Sequence, residues 1–220
     1  MSVHIISAAQ LTLPSIAIFL SGGVTVELSD SSKEKISKCR AYLDEKLKNS
    51  TQPIYGINTG FGSLYNRNIS SNQLETLQEN LVKSHACGTG PEVPQEIVRL
   101  MLLLKIQSLS YGYSGVQLGT VQRLADMLNH NVLPRVFEMG SLGASGDLAP
   151  LAHLTLPLLN EGEVWFNGET VATSSVSERL GWSPIHLAAK EGLALLNGTQ
   201  FMSAYVVWIC HNAQRLVQLA

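Results

Sequence analysis

The sequence predicts a mainly α-helical fold, and three observations carry that prediction. Apolar residues return every three or four positions over long stretches, around Ile36 to Leu47, Ile97 to Leu109 and Leu118 to Leu128. The strongest hairpin signal is a single Asn167-Gly168 pair between two short apolar runs within Glu163 to Val171. No βαβ alternation, internal repeat or low-complexity segment is visible, so short strands are expected only as ornaments.

In chain order, Val24 to Leu28 alternates apolar and polar side chains and predicts a short strand. Ser31 with Glu34 three positions later forms a capping-box pattern, and Ile36, Cys39, Leu43 and Leu47 give the following helix one apolar face. Asn49 to Pro53 ends it. Tyr55-Gly-Ile-Asn-Thr-Gly-Phe-Gly62 is a glycine-rich loop whose backbone can approach other groups closely, as site-forming loops do. Ser70 and Gln73 open a second helix with Leu74, Leu77 and Leu81 expected inward, running up to Ser84-His85-Ala86-Cys87-Gly88. Pro94 suits the first turn of a third helix, apolar nearly all round and hence buried. A fourth carries Leu118, Val121, Leu124, Ala125 and Leu128 on one stripe. Phe201 to Ala220 reads as a helix still in progress, without a capping glycine or polar tail, which suggests a truncated chain.

The 220 residues are 45% hydrophobic and 15% charged, with 15 basic against 17 acidic side chains, which excludes a disordered chain. A net charge of -2 gives no positive field for nucleic acid or an anionic membrane. Cys39, Cys87 and Cys210 are odd in number and widely spaced, arguing for a reducing compartment, and no Lys or Arg precedes Lys33 as a signal peptide would require. A cytoplasmic protein is expected. Leu193 to Cys210 is the most membrane-like stretch, but Asn197, Gly198, Thr199 and Gln200 interrupt it, so a buried turn and helix are expected there.

The chemistry-bearing segment is Gly140-Ser-Leu-Gly-Ala-Ser-Gly-Asp-Leu-Ala-Pro-Leu-Ala-His153. Its glycines miss the dinucleotide-binding spacing and lack a βαβ unit, no Gly-Lys-Ser/Thr is present for a phosphate loop, and Asp147 stands where a nucleophile elbow needs its last glycine. A plain glycine-rich turn capping a helix at Asp147 is one reading. Another uses Ala144-Ser145-Gly146 directly. If the chain is folded tightly enough for the Gly146 nitrogen to attack the Ala144 carbonyl carbon, a five-membered ring closes with loss of water, and dehydration of Ser145 leaves an exocyclic methylene. The product, a methylidene-imidazolone, is an electrophile that no ordinary side chain provides.

This segment resembles the signature of the aromatic amino acid ammonia-lyase family, Gly-x-x-Gly-Ala-Ser-Gly-Asp-Leu-x-Pro-Leu. Tyr55 to Gly62, Asn80-Leu-Val-Lys-Ser-His-Ala86 and Glu191-Gly-Leu-Ala-Leu-Leu-Asn-Gly-Thr-Gln200 are similar to further family blocks, in family order. The resemblance implies that residues 1–220 are the prosthetic-group-bearing N-terminal region of a larger helical enzyme, cut near the start of its central helical bundle. It also implies a homotetramer and an autocatalytic methylidene-imidazolone from Ala144, Ser145 and Gly146, with no external cofactor and no metal. Where relatives acting on phenylalanine or tyrosine typically carry Phe-Leu or His-Leu, this chain has Ser84-His85, like members acting on histidine. An imidazole substrate can exchange a hydrogen bond with His85. The expected reaction is elimination of ammonia from L-histidine to give trans-urocanate.

By the same resemblance Tyr55 is the base that removes the β-proton, although a free phenol has a pKa of about 10 and needs help to ionise near neutrality. Asn197 helps hold the substrate and the prosthetic group, Leu142 and Gly143 shape the loop, and Asp147 either caps the helix that follows it or polarises the ring closure, the cap being the expected role. Ordinary structural roles remain open for each: Tyr55 packed on Gly56 and Gly60, His85 as a helix-end histidine, Asn197 as a cap before Gly198. His4, His130, His153, His186 and His211 show no ligand spacing, and Met101, Met127 and Met202 read as core filler. The arginine that grips the substrate carboxylate belongs to absent sequence, so these residues alone are expected to be catalytically incomplete. A phenylalanine or tyrosine lyase, an aminomutase of the same family and a non-catalytic helical module are the alternatives.

Overall fold

The computed structural model describes residues 2–49, 52–62, 65, 69–70, 73–141 and 146–220. It is mainly helical, as predicted. Two strands, β1 (Ser2–Ile6) and β2 (Val24–Leu28), flank α1 (Leu13–Leu20) and pair in parallel, with Ser2 opposite Val24. This small βαβ unit corrects the expectation that no such unit exists. β2 is the strand predicted from alternation, but its parallel pairing with Ser2–Ile6 across α1 is a long-range contact that no local pattern announces, and β2 is completed from outside, since the Asn129 amide donates to Val26 O at 2.9 Å and accepts Val26 N–H at 2.8 Å.

Helix α2 (Asp30–Asn49) begins one residue before the expected cap: the Ser29 hydroxyl accepts Ser32 N–H at 3.2 Å, and Ser31 and Glu34 lie inside the helix. Its buried face is Ser32, Ile36, Arg40 and Leu43, while Cys39 and Leu47 are only half-buried. Arg40 can be buried because its Nη1 donates to Gly115 O and Ala189 O at 2.7 and 2.9 Å and its Nη2 pairs with Asp44. Then follow α3 (Leu74–His85), β3 (Thr89–Glu92), α4 (Gln95–Ser110) and α5 (Leu118–Asn129). Helix α4 is the axis of the core. Ile97, Leu100, Met101, Leu103, Ile106 and Leu109 are all buried, matching a helix predicted to be apolar all round.

After α5 come β4 (Leu133–Pro134), β5 (Phe137–Met139), α6 (Leu148–Thr155) and a short 3-10 turn, Leu156–Leu159. The predicted hairpin is present as β6 (Glu163–Phe166) and β7 (Glu169–Ala172), with Asn167 and Gly168 both at positive φ, 54° and 86°, as a two-residue turn requires. β4 adds a third strand to it, and β3 pairs antiparallel with β5. The chain continues through α7 (Thr173–Leu180), α8 (Glu191–Leu196) and α9 (Gln200–Leu219). α9 packs on α4, yet Ala204 is its one fully buried residue, and Val206, Ile209, Leu216, Val217 and Leu219 are exposed. Met202 is exposed too, so it is not core filler, unlike the buried Met101 and Met127. Among the described residues, no helix is long and apolar enough to cross a membrane.

Candidate active site

Four segments remote in sequence converge on one cavity of about 240 Å³. The loop supplies Tyr55, Phe61 and Gly62, α3 supplies Leu81 and His85, α6 supplies Leu148, and α8 with the residue that follows it supplies Leu193, Leu196 and Asn197. Helical periodicity places Leu74, Leu77 and Leu81 on the inward face of α3. Instead, Gln78 and Val82 are its buried residues, and the three leucines are half-exposed. That offset gives Leu81 to the cavity wall. α3 and α8 approach closely because residue 192 has no side chain: a Cβ there would lie 2.7 Å from Gln78 O.

His85 ends α3. Its Nδ1 lies 2.8 Å from Leu81 O, an acceptor only, so Nδ1 carries the proton of that bond and Nε2 is the nitrogen left for a ligand. Ser84 donates to Leu81 O at 3.1 Å and lines a neighbouring hollow of about 350 Å³ that shares Phe61, Leu81 and His85 with the first. The Tyr55 ring is 58% exposed and meets Phe61 edge to face, with centroids 6.2 Å apart. Asn197 terminates α8, exposed on the cavity, and its side chain bonds to no described residue.

Leu142, Gly143, Ala144 and Ser145 lie outside the described residues, but the residue closing that tripeptide does not. Gly146 has φ +108° and forms a parallel bridge with Gly198, the neighbour of Asn197. A Cβ on Gly146 would stand 2.1 Å from Gly198 O, while Asp147 N–H donates to that same oxygen at 2.8 Å. The backbone therefore admits only glycine here, the residue type the cyclisation requires. Asp147 sits at the start of α6, but its side chain does not cap that helix. It accepts Ser141 O–H on Oδ1 at 2.9 Å and Met202 N–H on Oδ2 at 3.0 Å, so it caps the first turn of α9 instead. This corrects the expected cap. One buried carboxylate ties both flanks of the 142–146 segment to the end of the Asn197-Gly198 turn.

Beyond the cavity, His153 Nε2 accepts Gly88 N–H at 3.0 Å, and burial pushes the His153 pKa down, consistent with a neutral ring holding the chain just after His85. Glu75, Glu79 and His186 bring possible metal-ligand atoms within 4.8 Å of one another at the surface, a grouping no sequence spacing could show. None of the three lines the cavity.

A mainly helical chain that folds a glycine-rich loop, a helix-end histidine and an asparagine turn around a small apolar cavity defines the class. Residues 11–220 match the aromatic amino acid lyase family, and the chain belongs to it. It is 45% identical over 215 residues to histidine ammonia-lyase 2 of Fusobacterium nucleatum, covering 98% of this chain and 42% of that protein. The crystal structure of histidine ammonia-lyase from Trypanosoma cruzi matches with a TM-score of 0.83 and 40% identity, over 94% of this chain and 39% of that one. An ergothionase from Treponema denticola, crystallised with desmethyl-ergothioneine sulfonic acid, superposes with a TM-score of 0.93 at 28% identity, over 98% of this chain and 43% of that one. The chain thus spans about two fifths of the length of these relatives.

Proposed function

We propose that residues 1–220 are the N-terminal region of a cytoplasmic, homotetrameric ammonia-lyase that converts L-histidine to trans-urocanate and ammonia. One observation carries the reading: Tyr55, His85 and Asn197 line a single cavity, next to a Gly146–Gly198 bridge, in a chain 45% identical to a histidine ammonia-lyase. The three cysteines are free, in keeping with a reducing compartment.

A methylidene-imidazolone made from Ala144, Ser145 and Gly146 would supply the electrophile that activates the substrate, and the glycine-only backbone at Gly146 fits it. The remaining work falls to ordinary side chains. His85, with Nδ1 occupied by Leu81 O, offers Nε2 to the N–H of a substrate imidazole. Leu81, Leu148, Leu193 and Leu196 exclude water from the flat ring. Tyr55 takes the β-proton. Asn197, free to donate and accept, holds the substrate beside the 144–146 segment. The carboxylate-binding arginine and further active-site groups come from the rest of the full-length protein and its partner subunits.

Replacing His85→Leu in the full-length protein tests the substrate assignment. Loss of the one polar partner for the imidazole should lower kcat/KM for histidine by roughly a hundred-fold or more while phenylalanine turnover holds or rises. A wild-type enzyme that turns over phenylalanine in preference to histidine would remove histidine as the proposed substrate, and an unchanged preference in the variant would remove His85 as its determinant.

A further inference from the structure

We infer that Glu191 is a positioning residue that sets Asn197 in the cavity, an inference resting on the substrate-holding role proposed for Asn197. Glu191 is fully buried at the first position of α8 and does not line the cavity. Both carboxylate oxygens are doubly occupied. Oε1 accepts Gln117 N–H and Thr120 O–H, each at 2.7 Å, and Oε2 accepts the Gln117 side-chain N–H at 2.6 Å and Ala188 N–H at 2.7 Å. The four donors come from the start of α5 and from the segment entering α8. The carboxylate therefore locks the one to the other.

The lock matters because α8 has only six residues. A helix that short has little stability of its own, so its place is dictated by tertiary anchors. Besides the buried Leu195 and Leu196, three polar side chains anchor it among the described residues: Glu191 at its start, Gln78 Oε1 accepting Leu193 N–H at 3.4 Å on the α3 side, and Lys105 Nζ donating to Ala194 O at 3.1 Å near its end. Glu191 is the only one of them with four bonds. Asn197 follows six positions later, about 9 Å along the helix axis, so a tilt at Glu191 is delivered to the amide in the cavity.

The chemistry demands a carboxylate. Each oxygen faces a backbone N–H that cannot turn away, Gln117 on one side and Ala188 on the other. A carboxamide has to present its NH₂ to one of them, setting donor against donor in a buried site.

The test is a double-mutant cycle in the full-length enzyme with histidine as substrate, pairing Asn197→Ala with Glu191→Gln and separately with Thr120→Val. Thr120→Val deletes one donor, keeps the side-chain shape and serves if Glu191→Gln does not fold. The expected result is a fall in kcat/KM of about ten-fold or more for Glu191→Gln and a smaller fall for Thr120→Val. Both losses should shrink to within about two-fold once Asn197 is alanine, because a group acting through Asn197 has nothing left to position. If Asn197→Ala impairs the enzyme but either second change multiplies the loss in full, the inference is overturned and the reading of Asn197 stands. An Asn197→Ala enzyme with unaltered kcat/KM defeats that reading, and this inference with it.

Discussion

Gly146→Ala in the full-length protein should abolish turnover, lowering kcat by at least about a thousand-fold, equivalent to roughly 4 kcal/mol of transition-state stabilisation. Two independent costs meet at this residue. Its φ of +108° is a backbone conformation that alanine rarely adopts, and the added Cβ would stand 2.1 Å from Gly198 O. Gly198 O is itself pinned by Asp147 N–H at 2.8 Å, and Asp147 by Ser141 and by the first turn of α9, so the carbonyl cannot step aside without breaking that set. The chain at 146 must move instead. Its amide nitrogen then leaves the position from which the ring would close, and Asn197, adjacent to Gly198, shifts with it. Steady-state kinetics and thermal unfolding check this together: the variant should lose both activity and several degrees in Tm. A variant with unchanged kcat and Tm would show that the Gly146–Gly198 bridge does not shape the site.

Lys105→Met should stabilise the protein at neutral pH by a few kcal/mol. Lys105 is buried in the middle of α4 with Ala194 O as its hydrogen-bond acceptor, and burial lowers its pKa from 10.5 to about 7. In the unfolded chain the amine keeps its proton up to about pH 10.4. Between about pH 7 and that value the unfolded state binds more protons than the folded one, so stability must rise with pH across the window. Below pH 7 both states are protonated and the full cost of burying the ammonium persists. Methionine fills similar space without a charge, which removes the cost and flattens the profile. Urea unfolding at pH 6.5 and pH 9.5 measures both effects. Wild-type stability that is flat or falls over this interval would contradict the assignment of a strained buried cation. Enzymatic activity supplies a second readout, because methionine cannot hold Ala194 O, and the last turn of α8 before Asn197 then loses one of its anchors.

Much of this fold could be read from the sequence because its helices carry their own evidence. The apolar run through Ile97, Leu103 and Leu109 can be nothing but a buried helix, and Asn167-Gly168 names its own turn. Pairings at long range were less legible. Nothing local in Ser2–Ile6 announces a parallel partner at Val24–Leu28, and the Asn129 amide that completes that strand lies 103 positions from Val26. The buried face of α3 is hidden for a related reason. Periodicity reports that Leu77 and Leu81 share a side of the helix, but not that this side lines two hollows while Gln78 and Val82 are the residues fully buried. Asp147 shows the same limit. Its position before Leu148 suggests a local cap, yet its carboxylate accepts Ser141 O–H and, 55 positions away, Met202 N–H. Of the site itself, Tyr55, His85 and Asn197 were marked by motif, whereas Phe61, Leu148, Leu193 and Leu196 have no chemistry that singles them out until the chain is folded.

Whether Ala144, Ser145 and Gly146 condense into an electrophile beside Asn197 is read from the intact mass of the full-length protein. An active preparation should be lighter than its encoded sequence by two molecules of water, with the loss mapping to the peptide that contains Ser145. A preparation that turns over histidine at full rate while retaining the unmodified mass would contradict it.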